Sequence, residues 1–144
     1  MHRFLTLAMI GISLTALVEA EPGEKAAQEK HTMLKAVVHV NCCDSERQQH
    51  GLKNIENILA EASDTQIEVI CHGEGISLVE SKHAKTVAAI QMLMKKGVHF
   101  VACENTMKKK SLIKEDLVGG TTTVPSGAVE VLRKQSEGFG YFRP

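Results

Sequence analysis

The residues best suited to chemistry stand at the end of the third predicted strand. A run of strand-forming residues there reaches Cys103, and small polar groups follow at once, among them Asn105 and Thr106. A thiol at the carboxyl end of a buried strand, beside hydrogen-bond donors, is where an α/β protein holds a reactive cysteine. Cys103 is therefore the candidate nucleophile, and the alternative is a buried strand cysteine that packs as a small hydrophobe.

The sequence neighbours of Cys103 are expected to tune the pKa of its thiol. The start of a following helix would lower this pKa, and lysines 108–110 would lower it further if they turn inward. Glu104 would raise it if its carboxylate lies close. The simpler interpretation of the three lysines is a solvated run.

A second candidate group, His72, follows the neighbouring predicted strand. Its imidazole could act as a general base or a proton shuttle, or it could simply bond a loop carbonyl. Glycines 73 and 75 would let backbone amides approach a ligand closely, although two glycines also suit a plain turn. The binding groups predicted around the thiol are Asn41, Gly73, Gly75, Asn105 and Thr106.

The other three cysteines decide whether Cys103 is free. Cys42 and Cys43 are adjacent, and a disulfide between adjacent residues strains the backbone, so we expect separate pairing or two free thiols. Cys71 could pair with Cys103 if their strands are neighbours, which would remove the nucleophile or make a redox couple. The chain has no C-x-x-C pair, so no zinc site is predicted, and no cofactor is either.

These residues need a scaffold, and the pattern of the chain predicts one. Helices are expected to begin at Ser45, which has capping-box spacing, at Ser81 and at Ser126. Strand-forming runs occupy residues 34–40, 66–72, 98–103 and 121–124, and residues 141–144 suit a short edge strand. This alternation predicts a parallel sheet with helices on both faces.

Ligands of an open parallel sheet bind outside the carboxyl ends of its strands. The segments that leave the predicted strands at that edge are residues 41–44, 71–75, 103–106 and 125–127. Three of these four segments hold every cysteine of the chain. The sequence therefore predicts one edge that gathers the thiols, His72 and two helix N-termini.

The first residues are expected to direct export. Residues 1–20 have a positive start, an almost wholly apolar stretch and small side chains before a cleavage point after Ala20, which is typical of a signal peptide. An uncleaved anchor is the alternative. Residues 21–33 predict a flexible linker and residues 34–144 one domain, with a periplasmic location.

Composition argues against nucleic-acid binding. Lys plus Arg and Asp plus Glu number 17 each, so no basic surface is predicted. The aromatic residues are four Phe and one Tyr, with no Trp, so stacking platforms for bases are not expected. Beyond the signal segment, no membrane contact is predicted.

Four blocks of the sequence resemble the DsrE/DsrF-like (YchN-like) sulfur-relay family, in particular its uncharacterised single-domain branch. They are residues 37–41 (VVHVN), 67–75 (IEVICHGEG), 97–107 (GVHFVACENTM) and 124–130 (VPSGAVE), and the tail that ends in YFRP agrees as well. The resemblance extends from Leu34 to Pro144. The AC-x-NTM and VPSG-x-VE blocks are specific in combination.

The resemblance implies a three-layer α/β/α domain with a mainly parallel sheet of about five strands, assembled as a homo-oligomer, often a trimer or hexamer. In sulfur-relay members, a cysteine in the loop after the third strand carries a persulfide, and Cys103 falls in that region. Some relatives have a second cysteine three positions further on, where this chain has Thr106. The characterised sulfur transfer of the family is cytoplasmic, whereas export is predicted here.

The leading functional hypothesis is an exported thiol protein that accepts or hands on sulfane sulfur as a Cys103 persulfide, with His72 assisting. A sulfur donor or acceptor protein would be its partner. One alternative is a non-enzymatic oligomeric module that binds a small ligand or a partner. Another is a thiol/disulfide redox protein in which Cys71 and Cys103 cycle.

Overall fold

The computed structural model describes residues 33–82 and 84–144. The predicted signal peptide, residues 1–20, and all but the last residue of the predicted linker lie outside the described residues. The elements of the described part, in chain order, are β1 (Lys35–Val40), α1 (Ser45–Glu61), β2 (Gln66–Cys71), α2 (Ala84–Lys95), β3 (His99–Cys103), α3 (Glu104–Lys110), β4 (Thr122–Val124), α4 (Gly127–Ser136) and β5 (Gly140–Phe142). Short 3₁₀ helices span Gly73–Val79 and Lys114–Asp116.

The strands form one parallel sheet in the order β4-β3-β2-β1-β5. Their central residues are the β-branched side chains predicted from the sequence, and Val37, Val38, Val69 and Ile70 are fully buried. The register aligns Val40 with Cys71 and Cys103 with Val124, so β1 to β4 end at one edge of the sheet. The predicted parallel α/β fold is confirmed, and so is the gathering of these strand ends.

The topology decides which helix covers which face. From β1 to β4 the chain steps across the sheet in one direction, and it then returns past three strands to β5. Because parallel crossovers are right-handed, this return places α4 on the face opposite to α1 and α2. Two separate apolar clusters agree: Ile55 of α1 and Ile90 of α2 belong to one, and Val131 of α4 belongs to the other. The predicted three-layer arrangement is therefore confirmed.

The predicted start of α1 at Ser45 is confirmed, although another residue caps it, and the predicted start of the second long helix is wrong by a few residues. Asp44, not Ser45, caps α1, because its Oδ1 accepts a hydrogen bond from the Arg47 amide at 2.7 Å. The second long helix begins at Ala84, after a turn at Ser81, rather than at Ser81 itself. A short side-chain oxygen one residue earlier thus competes successfully for the cap of α1.

Helix α4 turns a charged residue toward the sheet. Glu130 is buried, whereas Val129 and Leu132 are exposed. The Nζ atom of Lys134 lies 3.1 Å from a carboxylate oxygen of Glu68 on β2 and 4.0 Å from one of Glu130. Charges, together with Val131, therefore hold α4 on its face of the sheet. Within the described ranges, none of the helices has the length and apolar character needed to cross a membrane.

Candidate functional site

The Cys103 thiol lies between the sheet and the first turn of α4. Cys103 is the last residue of β3, and alternation along the strand places its side chain on the face of Val101, which is the face that α4 covers. Gly127, the first residue of α4, packs against it, since a Cβ at position 127 would be 3.2 Å from the Cβ of Cys103. Cys103 is only 4% exposed, so the sulfur is sheltered from bulk water.

Neutral donors set the pKa of this thiol. Burial raises the pKa of Cys103, but the backbone amide of Gly127, the hydroxyl and amide of Thr106 and the amide of Asn105 point at the sulfur and bring the pKa below its ordinary value. Such donors stabilise a thiolate more than a thiol. The Asn105 amide is shared, because it also donates to the Pro125 carbonyl at 3.3 Å. The sulfur makes no regular N-cap hydrogen bond with α3, so Gly127 and the Thr106 hydroxyl are the main donors.

The charged neighbours predicted from the sequence point elsewhere. A carboxylate oxygen of Glu104 accepts a hydrogen bond from the Thr123 hydroxyl on β4 at 2.8 Å. Lysines 108–110 are exposed, and Lys110 forms an ion pair with Glu74 at 2.8 Å. Neither the carboxylate nor the lysines contribute to the lowered pKa of Cys103. The simpler prediction of a solvated lysine run is confirmed.

Thr106 joins the two loops that flank the thiol. Its hydroxyl oxygen accepts a hydrogen bond from the Gly73 amide at 2.9 Å, and the hydroxyl donates to Cys103. Gly73 has a φ of 56°, a left-handed conformation that glycine adopts without strain. At Gly75 a Cβ would lie 2.2 Å from the Val40 carbonyl oxygen, so only glycine fits there. The two predicted binding glycines thus shape the loop that supplies the donor to Thr106.

His72, the predicted base, contacts a second histidine. The Nε2 atoms of His72 and His39 lie 2.5 Å apart, and Nδ1 of His39 lies 2.7 Å from the Tyr141 hydroxyl oxygen. The two imidazole planes differ by 8°, with ring centroids 4.7 Å apart. That separation matches the distance between the nitrogens plus two ring radii, so the rings meet edge to edge. One Nε2 must therefore carry the proton and donate it to the other.

The side chain of His72 starts next to that of Cys103. A Cβ at Gly127 would lie 3.0 Å from the Cβ of His72 as well as 3.2 Å from that of Cys103, so both side chains start next to the same glycine. Burial lowers the pKa of His72. Burial, then the charges of His72 and Arg143, lower the pKa of His39. Both imidazoles are consequently neutral at pH 7, the form in which a ring nitrogen can accept a proton.

The alternative in which Cys71 pairs with Cys103 is not seen in the structure. All four cysteines are free, and Cys71 belongs to the apolar cluster on the other face of the sheet. Their strands are neighbours, as the prediction required, but Cys71 aligns with Ala102, so alternation points the two thiols to opposite faces. Burial strongly raises the pKa of Cys71, which makes it a poor nucleophile.

The remaining predicted groups lie further from the thiol. Asn41 lines a small cavity together with His39, Cys42 and Arg143, one strand beyond His72. Cys43 is exposed and Cys42 is half-buried. Within residues 33–82 and 84–144, no group of three or more His, Cys, Asp or Glu side chains is arranged to hold a metal ion.

Two residues of the site, His39 and Tyr141, were not predicted from the sequence. His39 carried a signal, because it is a polar residue among the apolar residues of the strand after Lys35 and alternates onto the face of Val37. Tyr141 carried none, since it reaches the site only through the crossover that brings β5 back across the sheet. Residues 125–127 were predicted at this edge, but the contact of the Gly127 amide with the thiol was not.

An open cleft of about 320 Å³ lies at the opposite, amino end of the strands. Its lining includes Glu68, His99, Lys134 and Phe139. Lys134 is engaged there by Glu68 and Glu137, and no cysteine lines the cleft. The candidate nucleophile, Cys103, therefore lies at the opposite end of the sheet from this cleft.

Comparisons with known proteins agree with this fold. The model of the DsrE/DsrF-like family matches residues 13–144. MTH1491, a protein of unknown function from Methanobacterium thermoautotrophicum, is 29% identical, with a TM-score of 0.73 over 77% of this chain and 99% of its own. The ychN protein of E. coli is 10% identical, with a TM-score of 0.63 over 78% of this chain and 100% of its own, and shows the fold alone. No curated protein matches the chain.

Proposed function

The chain belongs to the DsrE/DsrF-like family, a family of the sulfur-relay type, and from this premise we propose that Cys103 carries sulfane sulfur as a persulfide. One observation supports the proposal above the others. The Gly127 amide and the Thr106 hydroxyl point at the Cys103 sulfur and lower its pKa, although burial alone would raise it. A buried thiol surrounded by donors is suited to react as a thiolate.

The transfer step is a displacement at sulfur. The Cys103 thiolate attacks the outer sulfur of a donor persulfide, a new S–S bond forms to Cys103, and the S–S bond of the donor breaks. The electron pair of the broken bond leaves on the donor thiolate, which then takes up a proton. No external oxidant or reductant is needed, because the sulfane sulfur moves without a net change of oxidation state. Delivery to an acceptor thiolate is the same reaction in reverse.

The neighbours of the thiol have separate parts in this step. The donors from Gly127 and Thr106 hold the attacking thiolate. His72, whose Cβ starts next to the same Gly127, exchanges a proton with the donor thiol in this proposal. Thr106 occupies the position of the second cysteine of some relatives, so this site would carry its sulfur on Cys103 alone. The low exposure of Cys103 favours small donors, such as inorganic polysulfide, that can reach a sheltered sulfur.

Intact-mass spectrometry of the protein purified without reductant tests the proposal. Incubation with polysulfide is expected to add about 32 Da, one sulfur atom, and the gain is expected to vanish on reduction. Cys103→Ala should abolish the gain. Cys43→Ala, which removes an exposed thiol, is the matched control and should retain it.

Other outcomes would contradict the proposal that Cys103 carries sulfur. Sulfur uptake that survives in Cys103→Ala and disappears in Cys43→Ala would move the chemistry to the exposed thiols. An unreactive wild-type protein would favour the binding module. A loss of two hydrogens that thioredoxin reverses would favour the redox protein, which the opposite orientation of Cys71 already argues against. Export and assembly into a trimer or hexamer stay predictions.

A further inference from the structure

We propose that Tyr141, His39 and His72 form a proton relay between solvent and the Cys103 site, in which His39 and Tyr141 position His72. The inference rests on the proposed function for the reaction that the relay serves. The path itself rests on contacts between the three side chains. Tyr141 and His39 are separated by 2.7 Å and His39 and His72 by 2.5 Å, measured between their hydrogen-bonding atoms.

The path crosses adjacent strands in one direction. Tyr141 lies on β5, His39 on β1 and His72 at the end of β2, next to β3 and its Cys103. The register aligns Tyr141 with Val37 and His39 with Ile70, so each member contacts the next diagonally across the sheet. Alternation places all these side chains on the face of Val37, Ile70 and Val101. Tyr141 is 46% exposed, which makes it the solvent end of the path.

The chemistry of imidazole explains how this chain can move a proton without holding a charge. Each neutral ring has one N–H and one bare nitrogen, and the two Nε2 atoms share a single proton. If that proton belongs to His39, then His72 carries its own proton on Nδ1 and His39 accepts from the Tyr141 hydroxyl. If it belongs to His72, then Nδ1 of His72 is bare and His39 donates to Tyr141.

These two arrangements differ by one proton moved along the path. Starting from the first arrangement, Nδ1 of His72 gives its proton to the thiolate that leaves the sulfur donor. The shared proton then passes to Nε2 of His72, Tyr141 gives its proton to Nδ1 of His39, and solvent replaces the proton on Tyr141. Both imidazoles end neutral, and the second arrangement results.

The surroundings of the pair suit this neutral mechanism. Burial disfavours imidazolium at both rings, and the nearby Arg143 guanidinium disfavours it further at His39. Nε2 of His72 is engaged by His39, so Nδ1, the nitrogen bonded closer to Cβ, is the one left for the reaction. The Cβ of His72 shares the contact with Gly127 that the Cβ of Cys103 makes, which brings this end of the relay to the thiol.

Nitrogen-15 NMR of the histidine side chains tests the path without any sulfur chemistry. We expect a scalar coupling between the two Nε2 atoms across their hydrogen bond, and we expect His39→Gln to remove it. Tyr141→Phe keeps the ring but removes the hydroxyl, so it should change the tautomer ratio of His72, which Tyr141 does not contact. His99→Gln, on the same sheet face at the opposite strand end, is the matched control and should leave His72 unchanged. An unchanged His72 in Tyr141→Phe would overturn the relay.

The rate of sulfur uptake in a single turnover tests whether the relay serves the transfer reaction. Because general acid–base catalysis contributes about 10²–10⁴-fold, His72→Gln should slow uptake by about 100-fold, and His39→Gln and Tyr141→Phe by about tenfold or less. The solvent isotope effect should fall in both positioning variants and persist in His99→Gln. Wild-type rates and isotope effects in His39→Gln would overturn the relay. Tautomer coupling in a wild-type protein that takes up no sulfur would support the path and overturn the persulfide function.

Discussion

Gly127 gives its backbone amide to the sulfur of Cys103 and leaves no room for a side chain between the two residues. A Cβ at position 127 would lie 3.2 Å from the Cβ of Cys103, closer than such atoms ordinarily pack. The first amide of α4 reaches the sulfur only because residue 127 is a glycine. The ten-residue helix behind that amide adds its dipole to the stabilisation of a thiolate.

Gly127→Ala is expected to damage both stability and reactivity. Overpacking costs about 1–3 kcal/mol, which outweighs the usual gain from replacing a helical glycine. Displacement of α4 would take the amide from the sulfur, so the pKa of Cys103 should rise. Urea unfolding and the pH dependence of iodoacetamide alkylation at Cys103 measure the two effects. Gly119→Ala, where a Cβ meets nothing within 4 Å, is the control, and equal behaviour of the two variants would contradict the packing argument.

Thr106→Val is expected to raise the pKa of Cys103, because it removes a hydroxyl that favours the thiolate. It also leaves the Gly73 amide without its acceptor, which should cost about 1–3 kcal/mol of stability. Alkylation rates across pH and denaturant unfolding provide the measurements. Thr106→Ser keeps the hydroxyl and should retain the wild-type pKa, so an alkylation profile shifted as far as that of Thr106→Val would show that the methyl group, not the hydrogen bond, matters.

Cys71 is expected to make the protein less stable in alkali. Folded Cys71 stays protonated because burial raises its pKa, whereas unfolded Cys71 ionises above the ordinary value of 9.0. The unfolded state then binds fewer protons, so the free energy of unfolding should fall by up to about 1.4 kcal/mol per pH unit above that value. Cys71→Ala should be less stable at pH 7 but should lose stability more slowly above pH 9. Parallel slopes for the two proteins would contradict the burial of a neutral thiol.

The histidine pair is expected to weaken the fold in acid. His39 and His72 have lowered pKa values in the folded state, so below the ordinary value of 6.5 the unfolded chain binds protons first. Stability should therefore be present above pH 6.5 and fall as the pH drops through the folded pKa values. His39→Gln should flatten this decline, measured as urea midpoints between pH 7 and pH 5. The exposed His99→Gln should leave the decline as in the wild-type protein.

Lys134→Met is expected to destabilise the attachment of α4. Lys134 pairs with Glu68 at 3.1 Å, whereas the buried Glu130 has a closer cation in Arg133 at 2.6 Å, so removal of Lys134 would leave Glu68 without that partner. Breaking such a pair costs about 3–5 kcal/mol when it is fully buried, and the partial exposure of Lys134 places our expectation near the low end. Lys53→Met removes an exposed pair with Glu56 and should change stability by less than about 1 kcal/mol. Similar losses of stability in Lys134→Met and Lys53→Met would contradict a special role of the ion pairs between α4 and the sheet.

Much of the fold could be predicted because its signals are local. Apolar strand runs, helical spacing and the glycine and proline breaks lie within a few residues of each other, and alternation of strands and helices implies parallel pairing. The start of α1 at Ser45 was predicted, but its cap was not, because neighbouring polar side chains compete for that role. The start of α2 at Ala84 was missed. The candidate site was predicted in part. Cys103 ends a strand, His72 follows the neighbouring strand and Thr106 lies just after Cys103, and the ends of parallel strands meet at one edge of the sheet.

By itself, the sequence determined the parallel sheet, the edge at which its chemistry gathers and Cys103 as the thiol to consider. The tertiary structure alone decided which of the candidate groups contact that thiol. Strand alternation in the observed register turned Cys71 away and His72 toward the α4 face. The crossover to β5 brought the Gly127 amide onto the sulfur and Tyr141 onto His39. Contacts between residues distant in the chain depend on strand order and register, which no short stretch of sequence encodes.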